Sequence, residues 1–321
     1  MPATTGPARA TTATSCPPDF DEPDDCAPAY RCGPDNHQPL TSGTSSTDSG
    51  PLRMIWAELG LECQLECLHC YAGAGPRKGF GTMTPDDWGN AIRDAAALGT
   101  RHVTFIGGEP TLSPALPGLV RLATGLGLTA EIYTNMVRVT PALWALFTLP
   151  GVSLATSWYT SDRAQHAALS GGHDTWRQTR ANIAKASALG VAPRVGIIDG
   201  IVPGQRADDA ERELRDLGIT RIGHDQARQF GRGTTADPSQ SCGACGRGRA
   251  AVLSDGTVTP CPMTRWLAAG NVRDASLVKA VEKLPAVTAV LPGRDGRGCF
   301  PDDCRPDVFE PLCTPNCKPN T

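Results

Sequence analysis

Cys63, Cys67 and Cys70 stand three and then two residues apart in the run Cys63-Gln64-Leu65-Glu66-Cys67-Leu68-His69-Cys70. Thiolates at this spacing can ligate three irons of one 4Fe-4S cluster. Such a cluster leaves its fourth iron open to bind and activate a small molecule, whereas a four-cysteine site stores or relays electrons. The run follows an apolar stretch from Leu52 to Leu61, and 36 residues separate it from Gly107-Gly108-Glu109-Pro110, which closes a second apolar stretch. Taken alone, the Gly-Gly-Glu-Pro segment reads better as an ordinary turn between a strand and a helix.

The elements that must position these residues follow from the apolar periodicity. Strands are predicted at Leu52–Leu61, Arg101–Ile106, Leu128–Thr134, Gly151–Ser157, Pro193–Ile198 and Ile219–His224. Between the first two, Thr84-Pro85-Asp86-Asp87 supplies an N-cap, a first-turn proline and early acids, Trp88, Ile92 and Ala95 mark one face, and Gly99 stops the helix. Thr140-Pro141 opens another helix with Leu143 and Phe147 inward. Trp176 and Ile183 lie on a helix that ends at Gly190, and Leu214 and Leu217 precede Gly218. Six strands joined by helices imply a parallel sheet with right-handed crossovers. Ligands of such sheets bind at the C-terminal strand ends, where both motifs fall.

Together the cysteine run and Gly107–Pro110 resemble the radical SAM superfamily. The resemblance implies an α/β fold, a partial (β/α)6 TIM-like barrel with a small cysteine-rich C-terminal domain. It also implies that Cys63, Cys67 and Cys70 hold the cluster while the amino and carboxylate groups of S-adenosylmethionine chelate the open iron. Reductive cleavage then yields a 5′-deoxyadenosyl radical, chemistry that no side chain supplies as acid or base. Gly107 and Gly108 would let backbone approach the methionine moiety, Glu109 would face its ammonium, and Pro110 would fix the turn. Asn135, after Thr134, and Ser157 sit where the superfamily touches ribose or carboxylate, and each reads equally as a strand-end cap. Asp199, after Ile197 and Ile198, falls near the expected adenine. Arg228 follows the sixth strand with Asp225 in a segment running to Gly231-Arg232-Gly233, similar to one found in relatives with auxiliary clusters. Its guanidinium suits a carboxylate, and a solvated loop arginine is the alternative. His37, His166 and His173 are expected at the surface, and His69 against the cluster.

Seven cysteines follow the barrel: Cys242, Cys245, Cys261, Cys299, Cys304, Cys313 and Cys317. The first three resemble the opening of a SPASM or twitch extension, with Ser254-Asp255-Gly256-Thr257 as a hairpin turn between Ala251–Leu253 and Val258–Thr259. The last four are separated by four, eight and three residues, where the SPASM pattern has two, five and three. One or two auxiliary 4Fe-4S clusters are implied, and a zinc ribbon at Cys242 and Cys245 is the alternative. Asp274–Val290 reads as a helix returning to cover the barrel.

Composition narrows the remaining possibilities. Net charge is −3, with −5 carried by residues 1–50, so no strongly basic surface points to nucleic acid. Neither a long apolar run nor the apolar core of a secretory signal is apparent, giving the expectation of a cytoplasmic protein with no membrane partner. Thirteen cysteines without such a signal favour metal ligation over disulfides. The expected division is a Pro/Ser/Thr-rich disordered segment at 1–50, the barrel at 51–235 and the auxiliary domain at 236–321. Residues 1–50 hold eight prolines together with Cys16, Cys26 and Cys32, read as an incidental tail, extra ligands or a tethered substrate.

Barrel proteins with such tails mostly modify ribosomally made peptides, which is the expected activity. A dehydrogenase, epimerase or decarboxylase of a small metabolite is the alternative, and an iron–sulfur electron carrier is a third reading, opposed by the missing fourth cysteine. Implied partners are the peptide or small-molecule substrate, an electron donor such as flavodoxin or ferredoxin, and a partner that recognises a leader peptide.

Overall fold

Each predicted strand forms in the computed structural model, which describes residues 52–232, 234–241 and 245–291, the first three strands trimmed at their ends and the last three starting later and running one or two residues further than expected. β1 (Met54–Glu58), β2 (His102–Ile106), β3 (Thr129–Tyr133), β4 (Val152–Trp158), β5 (Arg194–Asp199) and β6 (Ile222–Gln226) lie side by side in chain order, all parallel. The crossovers are α1 (Pro85–Ala97), α2 (Leu116–Gly125), α3 (Pro141–Phe147), the pair α4 (Arg163–Leu169) and α5 (Trp176–Ala188), and α6 (Ala207–Asp216). This is the curved, partly closed α/β sheet expected from the pattern.

Local signals explain the helices that were legible. α1 carries a full capping box, Asp87 N donating to Thr84 Oγ1 at 3.1 Å and Thr84 N to Asp87 Oδ2 at 2.9 Å, and buries Trp88, Ile92 and Ala95. Thr140 Oγ1 accepts from Leu143 N at 3.3 Å to start α3. α2 begins at Ala115 with no side-chain cap, and α4 is a seven-residue helix held by Asp162, so neither announces itself in the sequence. Ile55, Val103, Phe105, Ala130, Ile132 and Leu154 point outward into the main core beneath α1, α2 and α3.

The C-terminal hairpin does more than the sequence predicts. β7 (Arg249–Val252) pairs parallel with β1, Ile55 opposite Ala250, and β8 (Thr257–Thr259) and β9 (Gly270–Asn271) extend the sheet antiparallel beyond it. Without β7 the buried strand β1 would be an open edge. α7 (Leu277–Thr288) then packs Leu277, Ala280 and Leu284 into the main core, and Leu277 N donates to Asp94 of α1 at 3.1 Å. Among the described residues no helix is long and apolar enough to cross a membrane.

The inner face of the sheet is partly polar. Arg194 on β5 grips Glu131 on β3 in a buried fork, Nη2 to Oε2 at 2.9 Å and Nε to Oε1 at 3.2 Å. Burial works to raise the Glu131 carboxyl, but the Arg194 charge and hydrogen bonds outweigh it and hold it below the usual glutamate value. We expect Glu131→Ala to lower stability in urea unfolding by about 3 kcal/mol, because it leaves a buried cation without its carboxylate. Asp174→Ala, which breaks the exposed pair with Arg163, should cost under about 1 kcal/mol. Since the Glu131 value is depressed in the folded state, its contribution is present above the unfolded glutamate value. The gap between wild type and Glu131→Ala should therefore narrow as pH falls through and below that value.

Candidate active site

The connection from β1 to α1 carries the cysteine run and is stitched to itself. Leu61 N and Glu62 N both donate to Gly79 O at 2.9 Å, Gly75 N to Leu61 O at 3.1 Å, and Cys63 N to Gly75 O at 3.2 Å. Glu62 closes the far end by accepting from Gly79 N at 2.8 Å and Arg77 N at 3.1 Å, bonds that lower its carboxyl from the ordinary value. Cys63, Cys67 and Cys70 line one wall of a cavity at the C-terminal ends of the strands. No other cysteine lines it among the described residues.

Donors approach the sulfurs of Cys63 and Cys70. Leu65 N lies 3.4 Å from Cys63 Sγ, Ala74 N 3.3 Å from Cys70 Sγ, and Asn135 Nδ2 3.8 Å from Cys63 Sγ. Burial, reinforced by their mutual repulsion as anions, pushes the Cys63 and Cys67 thiols up to about 12, so they become thiolates only against a cation. No three His, Cys, Asp or Glu side chains among the described residues are arranged to hold a single metal ion. Three separate sulfurs along a wall suit a cluster, which offers a separate iron to each.

The turn after β2 packs against this loop. Gly107, at φ +156°, would place a Cβ 2.6 Å from Gly60 O, and Gly108 would place one 2.5 Å from Glu62 O. Both glycines line the cavity, yet their first requirement is close packing on the cysteine loop rather than room for a ligand. Glu109 is fully buried and spans to the next strand, accepting from Asn135 N at 2.7 Å, Thr111 Oγ1 at 2.6 Å and Thr111 N at 3.0 Å. Burial raises its carboxyl despite these bonds. Glu109 does not line the cavity, and Pro110, also buried, starts the short 3-10 turn to Leu112.

Other sequence-predicted positions divide clearly. Asn135 lines the cavity and accepts from Gln64 Nε2 at 3.1 Å, joining β3 to the cysteine loop. Ser157 lines it with its Oγ 2.9 Å from Tyr133 OH. Arg228 lines it as well, buried rather than solvated, with Nη2 at 3.0 Å and 3.1 Å from the two oxygens of Asp225 and with Nε unpartnered. Asp199 does not line it and accepts from Gly200 N, while its neighbour Ile198 contributes. Cys261 is partly buried, 3.3 Å from Met263 N, and Pro262 and Met263 reach the cavity. Cys245 is buried nearby, Gly246 N donating to Pro260 O at 3.2 Å. Cys242, Cys299, Cys304, Cys313 and Cys317 lie outside the described residues, as do Cys16, Cys26, Cys32 and His37.

His166 corrects the surface expectation. It is 2% exposed, its ring 5.0 Å from that of Trp158, and burial lowers it to about 4. His166 Nδ1, His69 Nδ1, Ser170 Oγ and Thr175 Oγ1 are buried cavity atoms with no hydrogen-bond partner. Leaving such groups unpaired is costly, so the wall suits a polar ligand. Sequence singled out His69 and His166 but offered no signal for Ser170 and Thr175, which flank the loop between α4 and α5 and gain meaning only through packing.

The radical SAM superfamily model matches residues 58–223, just over half of the chain. The chain belongs to the radical SAM superfamily. Its cofactors are accordingly a 4Fe-4S cluster and S-adenosylmethionine, which the three thiols and the unpaired polar wall fit. Among curated relatives, PqqA peptide cyclase of Rhodopseudomonas palustris is 32% identical over 96 residues, 30% of this chain and 26% of that protein. Fe-coproporphyrin III synthase of Methanosarcina barkeri is 34% identical over 90 residues, 28% of this chain and 22% of that protein. The chain thus matches about a quarter of either relative's length. SuiB of Streptococcus suis, solved with its precursor peptide SuiA, shares the fold at a TM-score of 0.60 and 15% identity, covering 73% of this chain and 65% of that one.

Gly108→Ala is expected to lower the stability of the unloaded protein by about 2 kcal/mol, the effect of forcing a methyl against backbone. Gly118→Ala, on the open face of α2, should instead stabilise by about 0.5–1 kcal/mol. Thermal unfolding of the two variants would test the contrast, and equal shifts would show that Gly108 has no packing role.

Proposed function

We propose that this enzyme cleaves S-adenosylmethionine reductively and uses the resulting radical to take hydrogen from a ribosomally made peptide, giving a cross-link, a thioether or an epimerised residue. The observation that carries the reading is the cavity at the strand ends with three thiols on one wall and, among the described residues, no fourth cysteine lining it. When bound, the cluster and S-adenosylmethionine supply the 5′-deoxyadenosyl radical. The chain's own residues hold and shape. Cys63, Cys67 and Cys70 ligate iron, Asn135 orients on Cys63 through its amide, and Glu109 fixes Asn135 from behind. Gly107, Gly108, Ser157 and Arg228 line the volume left for S-adenosylmethionine and substrate, with Pro110 setting the turn and Asp199 at the rim of β5. Tyr133, Tyr159 and Trp56 exclude water from the rest.

The peptide class is supported by the names of PqqA peptide cyclase and of the SuiB structure with its precursor peptide SuiA. A small-metabolite substrate is the second reading, favoured by the match to Fe-coproporphyrin III synthase, whose name gives a porphyrin product. Residues 236–321 are proposed as an auxiliary iron–sulfur domain using Cys242, Cys245 and Cys261 with some of Cys299, Cys304, Cys313 and Cys317, distinct from the barrel at 51–235. A flavodoxin or ferredoxin in the cytoplasm supplies the electron, and a separate protein supplies leader recognition.

Reconstituted anaerobically and reduced with dithionite, the protein should release 5′-deoxyadenosine and methionine even without substrate. Replacing Cys63, Cys67 and Cys70 together by Ala should abolish this while leaving iron and sulfide on the auxiliary cysteines. Cleavage at the wild-type rate in the triple variant would sink the cluster assignment. For the substrate class, candidate peptides deuterated at carbon should pass deuterium into 5′-deoxyadenosine, read by mass spectrometry. Transfer from a small metabolite and never from a peptide would select the second reading.

A further inference from the structure

Arg232 lies 165 positions along the chain from Cys67, beyond β6, and yet it is bonded to the cysteine loop at three points. Its backbone N donates to Cys70 O at 3.0 Å, its Nε donates to Cys67 O at 3.0 Å, and its Nη2 donates to Ala74 O. Gly231 makes the approach possible. At φ +83°, it passes so close that a Cβ there would stand 2.3 Å from Cys70 O and from Tyr71 O. The guanidinium bonds end on carbonyl oxygens, and no carboxylate among the described residues forms an ion pair with it. A full positive charge therefore rests against the loop that carries the three thiols.

We infer that Arg232 is a positioning residue that holds the cluster-bearing loop in its ligating shape and, by its charge, favours the reduced cluster. This rests on the assignment of the cluster to Cys63, Cys67 and Cys70. Two physical effects follow from the contacts. First, a planar fork bonding Cys67 O and Ala74 O ties together both sides of the last cysteine turn, which includes Ala74 N, the donor to Cys70 Sγ at 3.3 Å. A lysine, with one compact ammonium, cannot span both carbonyls in the same way. Second, a cluster on three thiolates is anionic and gains another negative charge on one-electron reduction, so a nearby cation stabilises the reduced form more than the oxidised one. Geometry and charge thus separate by substitution: lysine keeps the charge and loses the fork, and glutamine loses both the charge and much of the fork.

The experiment uses the full chain, wild type and with Arg232→Gln or Arg232→Lys, reconstituted anaerobically. Redox titration would follow the electron paramagnetic resonance signal of the reduced cluster that changes when S-adenosylmethionine is added, which separates it from any auxiliary cluster. Iron release to a chelator would be timed in parallel. In Arg232→Gln, the responsive signal should appear at a more negative potential, with iron released about tenfold faster, the scale of losing one charge-assisted hydrogen bond. Arg232→Lys should keep the wild-type potential while still releasing iron faster. A wild-type potential in Arg232→Gln, or a shift in Arg232→Lys as large as in Arg232→Gln, would overturn the role of the charge. Should Arg232→Gln fail to assemble, Arg232→Lys decides alone, and wild-type iron release in it would overturn the positioning role. Absence of any responsive signal in the wild type would instead overturn the cluster assignment itself.

Discussion

The turns after β1 and β2 meet backbone to backbone, and the geometry of the whole site descends from that contact. Gly108 N donates to Gly60 O at 2.8 Å and Glu109 N to Glu62 O at 2.9 Å, extending the β1–β2 ladder past the ends of both strands. Such an extension tolerates no Cβ at Gly107 or Gly108, whose nearest neighbours would be backbone atoms unable to yield. The contact sets the height of the cysteine loop above the sheet. It also delivers Glu109 to the one place where its carboxylate reaches Asn135 N on the third strand end. Asn135 in turn meets Gln64 and Cys63, so three strand ends and the loop form one hydrogen-bonded ring.

That ring is partly buried, and burial has an electrostatic consequence. Glu109 is raised by desolvation, and the Cys63 and Cys67 thiols are raised to about 12 by the same cause. A site that disfavours its own anions is one that waits for a cation. The same cavity shows the complementary condition, with His69 of the cysteine run, His166, Ser170 and Thr175 each presenting a polar atom that has no partner. Each such atom costs the free protein roughly 1–3 kcal/mol relative to a paired one. Ligand binding can recover that cost, which links the instability of the empty wall directly to affinity.

Much of this fold was legible because its signals are local. Thr84, Pro85 and Asp87 encode the start of α1 within four residues, and the six apolar runs encode the strands within five to seven each. The cysteine spacing and Gly107–Pro110 were legible for the same reason, and the structure brings the three cysteines, Gly107 and Gly108 to one cavity. What stayed hidden depends on partners distant in the chain. Nothing within Arg249–Val252 says that it will lie parallel beside β1. His166 looks like a surface histidine on a short polar helix until Trp158 and Tyr159 close over it. The family resemblance points Glu109 at the ligand, and only the position of Asn135 reveals that its carboxylate accepts from the third strand end.

The C-terminal strands bear on the site through the inner face of the sheet. Met54 and Trp56 of β1 and Ala251 and Leu253 of the β7 region form one apolar cluster with Ile106, and Tyr133 and Cys261 pack against it. Trp56, Ile106 and Tyr133 are also cavity residues, so Cys261 shares packing with the reaction chamber rather than hanging on a separate surface. Arg265 reinforces this arrangement by ion-pairing with Glu58 at the top of β1, Nη2 to Oε1 at 3.1 Å, where Ser254 Oγ also approaches at 3.5 Å. Arg228 Nη1 lies 4.0 Å from Met263 Sδ, closing the gap between the β6 side of the cavity and the same segment. The two ends of the curved sheet are thus bridged over the cavity by side chains from the segment after β8. Any group held by Cys261 is therefore fixed to the frame that positions the substrate, and its distance from the cysteine loop is set by β1 and β7 pairing in register.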